Sequence, residues 1–185
     1  MSTQGKIAIG YSDFQEIRER KFYYVDKSFL IDQVINTPSK VLLLPRPRRF
    51  GKTLNLTMLR YFFEKTEPSK RSLFDGLAVT QNAEVMRQQG QYPVIYLTFK
   101  DVKEDTWEKC FNKMSHLLTQ EAYRHQPALK QLSLNEQEQR DWAILLNQEV
   151  SPDLLEDSLA LLMSLLHRAT GQKVVVLIDE YDTPI

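Results

Sequence analysis

Residues Leu42–Phe63 read LLLPRPRRFGKTLNLTMLRYFF: an apolar run, an arginine-dense loop containing two prolines, then leucines, a methionine and aromatics at helical spacing. Lys40–Leu44 is apolar after its first residue, as a parallel strand buried on both faces requires, and Pro45 and Pro47 stop it. From Lys52 onward Leu56, Leu59 and Phe63 recur at three and four, with Leu54, Met58 and Tyr61 beside them, which predicts a helix. Between strand and helix stands Gly51-Lys52-Thr53. It matches the end of the phosphate-binding loop G-x-x-x-x-G-K-[ST], with Arg46 where the opening glycine would be.

The chemistry of such a loop explains those residue types. Backbone N–H groups wrap the phosphates, the positive end of the following helix faces them, and a lysine neutralises the terminal phosphates. Arg46, Pro47, Arg48, Arg49, Phe50 and Gly51 would form the loop, Lys52 would supply the charge, and Thr53 the hydroxyl ligand to Mg²⁺. The same triplet also fits an ordinary helix start with an exposed lysine. A second segment bears on the choice: VVVLIDEYD, Val174–Asp182, is an apolar strand ending in an acidic pair. In P-loop enzymes such a strand brings a carboxylate to the carboxyl edge of the sheet. Asp179 would then hold Mg²⁺ through water, and Glu180 would orient and deprotonate the attacking water. Both pieces follow apolar strands and stand in the expected order, which favours the nucleotide site over two unrelated segment ends. Asp182 is placed to cap a helix after it.

Outward from these segments, Ser28–Asn36 is a short amphipathic helix ending near Asn36-Thr37-Pro38, and Thr66–Tyr92 is irregular with short helical pieces. Val94–Phe99 is a strand. Trp107, Cys110, Phe111, Met114, Leu117 and Leu118 form one helix face that Gln126-Pro127 interrupts. Ser151-Pro152-Asp153 starts another helix, carried on by Leu155, Leu159, Leu162 and Leu166 and stopped by Gly171. Strands separated by helices predict a three-layer α/β/α fold with a mostly parallel sheet, in one domain spanning residues 1–185.

Composition narrows the function classes. Twenty-four basic residues balance twenty-four acidic ones, so any basic surface is local. No apolar run approaches the ~20 residues of a membrane-spanning helix. One cysteine, Cys110, at helical spacing with Trp107 and Met114, reads as a small buried hydrophobe and excludes an internal disulfide, which points to the cytoplasm. His116, His125 and His167 stand in separate helical patterns without metal-binding spacing.

YYVDKS (Tyr23–Ser28), RPRRFGKTLNLTMLRYFF, PVIYLTFKDV and LIDEYDTPI together resemble the AAA-ATPase-like family of prokaryotic proteins. In that family the loop is typically R-P-R-R-F-G-K-[ST], so Arg46 belongs to the resemblance; Pro45 departs from it, a small polar residue being more usual. The resemblance implies a P-loop ATPase module that uses ATP and Mg²⁺ through Lys52, Thr53, Asp179 and Glu180. It also implies a longer parent, often ending in a nuclease-like domain through which nucleic acid would be a partner. On that basis the chain is expected to end just after the Walker B-like strand, leaving the sheet incomplete. The competing reading is a non-hydrolysing regulatory or interaction module whose Arg46, Arg48 and Arg49 bind a polyanion such as a nucleic-acid backbone. YYVDKS is left with two readings, bordering the base or ribose, or packing. Oligomeric state is not legible.

Overall fold

A computed structural model describes residues 6–45, 47 and 50–183. The chain divides into two compact units, Met1–Gln91 and Tyr92–Ile185. The architecture is mixed helix and strand with a small parallel sheet.

The first unit is built on three helices: α1 (Phe14–Glu19), α2 (Phe29–Asn36) and α3 (Lys52–Phe63). Asp13 caps α1 by accepting the Glu16 N–H at 3.0 Å, and its other oxygen accepts the Tyr61 hydroxyl of α3 at 2.9 Å. Thr57 of α3 returns the link, its buried hydroxyl accepting the Phe14 N–H at 3.0 Å. These bonds fix α1 on α3, and Phe14, Ile17, Met58, Leu59 and Phe62 are all buried. The predicted helix forms from Lys52, but its buried face runs through Asn55, Met58, Leu59, Phe62 and Phe63, while Leu56 is only half-buried. The segment beyond α3 carries two 3-10 turns, Arg71–Phe74 and Ala78–Gln81, and the short helix α4 (Ala83–Met86). Turn-rich in sequence, it is nonetheless anchored: Phe74 meets Phe14 and Phe62 at ring separations of 5.2 and 5.4 Å.

The strand expected at Lys40–Leu44 does not form. Its residues are irregular, and Val41 and Leu43 are 81% and 63% exposed. Apolarity marks a segment that would be buried in a sheet, but a strand exists only where another backbone accepts its hydrogen bonds, and no described strand lies beside this one.

The second unit holds β1 (Val94–Thr98), α5 (Trp107–Leu129), α6 (Glu136–Leu146), α7 (Pro152–Thr170) and β2 (Val175–Asp179). The strands pair in parallel, Val94 with Val175 through Thr98 with Asp179. In this register the N–H and C=O groups of Val94 and Tyr96 face away from β2. Side chains of α5 meet them: Arg124 donates to the Val94 carbonyl, His125 Nε2 lies 3.0 Å from the same oxygen, and Glu121 accepts the Tyr96 N–H at 3.3 Å. The outer edge of β1 is therefore closed by side chains, whereas no described strand pairs with the outer edge of β2. Burial alone would raise the Glu121 carboxyl, but hydrogen bonds from His125 and Arg124 outweigh it and hold it below the ordinary carboxylate range.

Three other sequence readings meet the structure here. Pro127 does not interrupt α5: it lies inside the final turn, two residues before the helix ends at Leu129, where losing one backbone bond costs little. Trp107 opens that helix exposed, while Cys110 is buried with its thiol 3.3 Å from the Val102 carbonyl. Ser151 caps α7 with Pro152 in the first turn and Gly171 closing it at φ 67°, as expected. Among the described residues no helix is long and apolar enough to cross a membrane.

Candidate functional site

Gly51 is the hinge of the candidate loop. It stands at the N-cap of α3 with φ 74°, a left-handed conformation that costs a residue bearing Cβ roughly 1–2 kcal/mol. Among the described residues a β-carbon there would meet only the Lys27 ammonium, at 4.0 Å, so backbone angle rather than space calls for glycine. Its carbonyl accepts the Asn55 N–H at 3.0 Å and closes the first helical turn. Lys52 and Thr53 follow as the first two residues of α3, both half-buried, and Phe50 is exposed. The first N–H groups of a helix have no intrahelical partner, and the helix dipole adds partial positive charge there. The opening of α3 is therefore a place where an anion is stabilised. Pro47 is exposed, while Arg46, Arg48 and Arg49 lie outside the described residues.

YYVDKS lies before α2, and the structure assigns Tyr24, Asp26 and Ser28 to packing and turn contacts. The Tyr24 ring stacks edge-on against Phe14 at 5.4 Å, its hydroxyl points at the Met58 sulfur, and burial pushes its pKa up to about 12. Asp26 accepts the Ser28 N–H at 2.8 Å and the Ala78 N–H at 2.7 Å. Burial opposes its ionisation, but the backbone N–H groups of Ala78 and Ser28, the Ser28 hydroxyl and Arg18 together keep its carboxyl below its ordinary value. Ser28, fully buried, accepts the Val79 N–H at 3.0 Å. Asp26 and Ser28 thus clasp the start of α2 to the Ala78–Gln81 turn. Sequence reasoning missed the clasp because its partners are main-chain groups some fifty positions away.

In the second unit, Asp179 closes β2 and is 3% exposed, while Ile178 beside it faces outward. The Asp179 carbonyl accepts the Phe99 N–H at 3.0 Å. Glu180 follows with φ 51°, left-handed for a residue that is not glycine. That conformation persists only where the surroundings enforce it, and such positions gather at functional sites. Here a turn enforces it: the Thr183 N–H donates to the Glu180 carbonyl at 3.0 Å, and the Thr183 hydroxyl lies 3.5 Å from the Glu180 carboxylate. Glu180 is half-buried at the exit of the strand. Asp182 lies in this turn, and the helix it was expected to cap would fall beyond the described residues.

Lys52 and Thr53 belong to the first unit, and Asp179 and Glu180 to the second. No cluster of three or more His, Cys, Asp or Glu side chains suited to a metal occurs among the described residues. A hydroxyl and a carboxylate are nonetheless the oxygen donors Mg²⁺ takes when substrate phosphates and water complete its shell.

The family model described as Predicted AAA-ATPase matches residues 8–185. Among curated proteins, the chain is similar to the uncharacterized protein in the vnfD 5' region of Azotobacter chroococcum mcd 1. The identity is 32% over 181 residues, which cover 97% of this chain and 30% of that protein. The chain therefore spans less than a third of the length of that relative. No solved structure matches it.

Proposed function

The chain belongs to the predicted AAA-ATPase family, and on that premise we propose that it is a P-loop module that binds ATP and, in a longer parent protein, hydrolyses it. The observation that carries the reading is Gly51 at φ 74° opening α3, with Lys52 and Thr53 in its first turn. This is a conformation that permits close backbone approach, followed at once by the positive end of a helix and a cation.

In this reading the loop from Arg46 to Gly51 wraps the phosphates, Arg46, Arg48 and Arg49 add donors that an ordinary loop lacks, and Lys52 balances charge on the terminal phosphates as it develops. Thr53 and Asp179 would hold Mg²⁺, which when bound supplies neutralisation of phosphate charge. Glu180 orients the attacking water and accepts its proton. The enforced turn at Glu180 suits that role, because a carboxylate whose backbone is fixed by Thr183 starts from a defined position. Coupling to a downstream nuclease-like domain extends the same reading.

The experiment is a comparison of wild type and Glu180→Gln in ATP binding and in phosphate release, using the longest available form of the protein. The proposal expects unchanged binding and at least a hundredfold loss of turnover. Equal turnover in both would remove Glu180 from the mechanism. Binding without turnover in wild type would favour a regulatory module that uses nucleotide only as a ligand.

A further inference from the structure

Three residues of YYVDKS are engaged by the fold, Tyr23 and Val25 are exposed, and Lys27 is half-buried. Tyr24, Asp26 and Ser28 are engaged by Met58, Ala78 and Val79, but no hydrogen bond or ion pair of the Lys27 side chain is found among the described residues. Lys27 is half-buried, and its ammonium lies 4.0 Å from the point a β-carbon on Gly51 would occupy. A lysine ammonium is a compact, strongly hydrated charge. With no acid opposite it among the described residues, this charge is available to an anion beside the loop. The backbone on either side of Lys27 is fixed, since Asp26 and Ser28 are tied to Ala78 and Val79. The backbone from which its side chain reaches toward Gly51 is thus set by the fold.

We propose that Lys27 is a second phosphate-binding cation of the Gly51-Lys52-Thr53 loop, bonding the phosphate oxygens of a nucleoside triphosphate across the bare face of Gly51. This rests on the reading of that loop as the nucleotide site. A phosphate-binding Lys27 resolves the double reading of YYVDKS, since the motif packs through three residues and serves the ligand through one, at the phosphates rather than at the base or ribose.

The test titrates ATP with Mg²⁺ into the full chain as wild type, Lys27→Met, Lys27→Arg and Lys52→Ala. In parallel, mass spectrometry follows acetylation of Lys27 in wild type with and without ligand. The proposal expects Lys27→Met to weaken ATP binding about tenfold with an unchanged unfolding midpoint, and Lys27→Arg to recover most of the loss. It expects ATP and inorganic triphosphate to protect Lys27 from acetylation, and adenosine not to. If Lys52→Ala loses ATP while Lys27→Met binds as wild type does, the role of Lys27 is overturned and the loop assignment stands. If wild type binds no ATP, or Lys52→Ala binds it equally well, the loop assignment falls and this proposal with it. Should Lys27→Met fail to fold, the wild-type protection decides, and acetylation unaffected by inorganic triphosphate refutes the role.

Discussion

Glu180 offers a test in which the sign of an effect, and not only its size, follows from backbone geometry. Its φ of 51° brings the β-carbon against the carbonyl that follows, at a cost of roughly 1–2 kcal/mol that alanine would bear equally and glycine would escape. Glycine returns part of that gain, because its unfolded chain is freer by about 0.5–1 kcal/mol. The net expectation is that Glu180→Gly is more stable than Glu180→Ala by about 0.5–1 kcal/mol. Both variants lose the 3.5 Å contact with the Thr183 hydroxyl and keep the bond from the Thr183 N–H, so side-chain effects cancel in the comparison. At an exposed helical position such as Glu156 of α7 the order must reverse, with glycine about 1 kcal/mol worse than alanine. The assay is urea unfolding of the four variants, checked by thermal melts in which each kcal/mol is worth about 2–4 °C for a chain of this size. An alanine variant at 180 as stable as the glycine variant would refute the claim that the strand exit is held strained.

Other expectations follow from individual contacts. Ser28→Ala strands the buried Val79 N–H and is expected to cost about 1–3 kcal/mol in denaturant unfolding, with a smaller effect from Ser28→Thr if its methyl is accommodated. Glu121→Gln leaves Arg124 and His125 without their carboxylate at the edge of β1 and is expected to cost about 2 kcal/mol, discounted because Arg124 is partly exposed. The Glu121 carboxyl is depressed in the folded protein. Its contribution is therefore complete above the ordinary value of 4.5 and is lost as pH falls through the folded value, so Glu121→Gln should flatten the acid limb of the stability profile. An acid limb of unchanged slope in that variant would contradict the linkage.

What the sequence made legible follows local physics. The cap, proline and terminal glycine of α7 are contained within its own segment, and they were readable because each acts on neighbours in the chain. The helix α6, Glu136–Leu146, carries an equally local signal, the Asn135–Glu138 capping box, which went unread because its apolar pattern is short. Where partners are distant, reading failed. Lys40–Leu44 has the composition of a strand and no described partner, and the role of Asp26 depends on a main-chain N–H at Ala78. For the candidate site, the motif identified the triplet and the acidic pair. The left-handed angles at Gly51 and Glu180 and the approach of Lys27 came only from the structure.

The central claim is that the loop ending in Gly51-Lys52-Thr53 binds nucleoside triphosphate, and its most direct measurement is calorimetric titration of ATP with Mg²⁺ into wild type and Lys52→Ala. The account predicts saturable binding by wild type and a loss of at least tenfold in affinity for Lys52→Ala, with the unfolding midpoint unchanged. Equal affinities in the two proteins, or no binding by wild type, would contradict it.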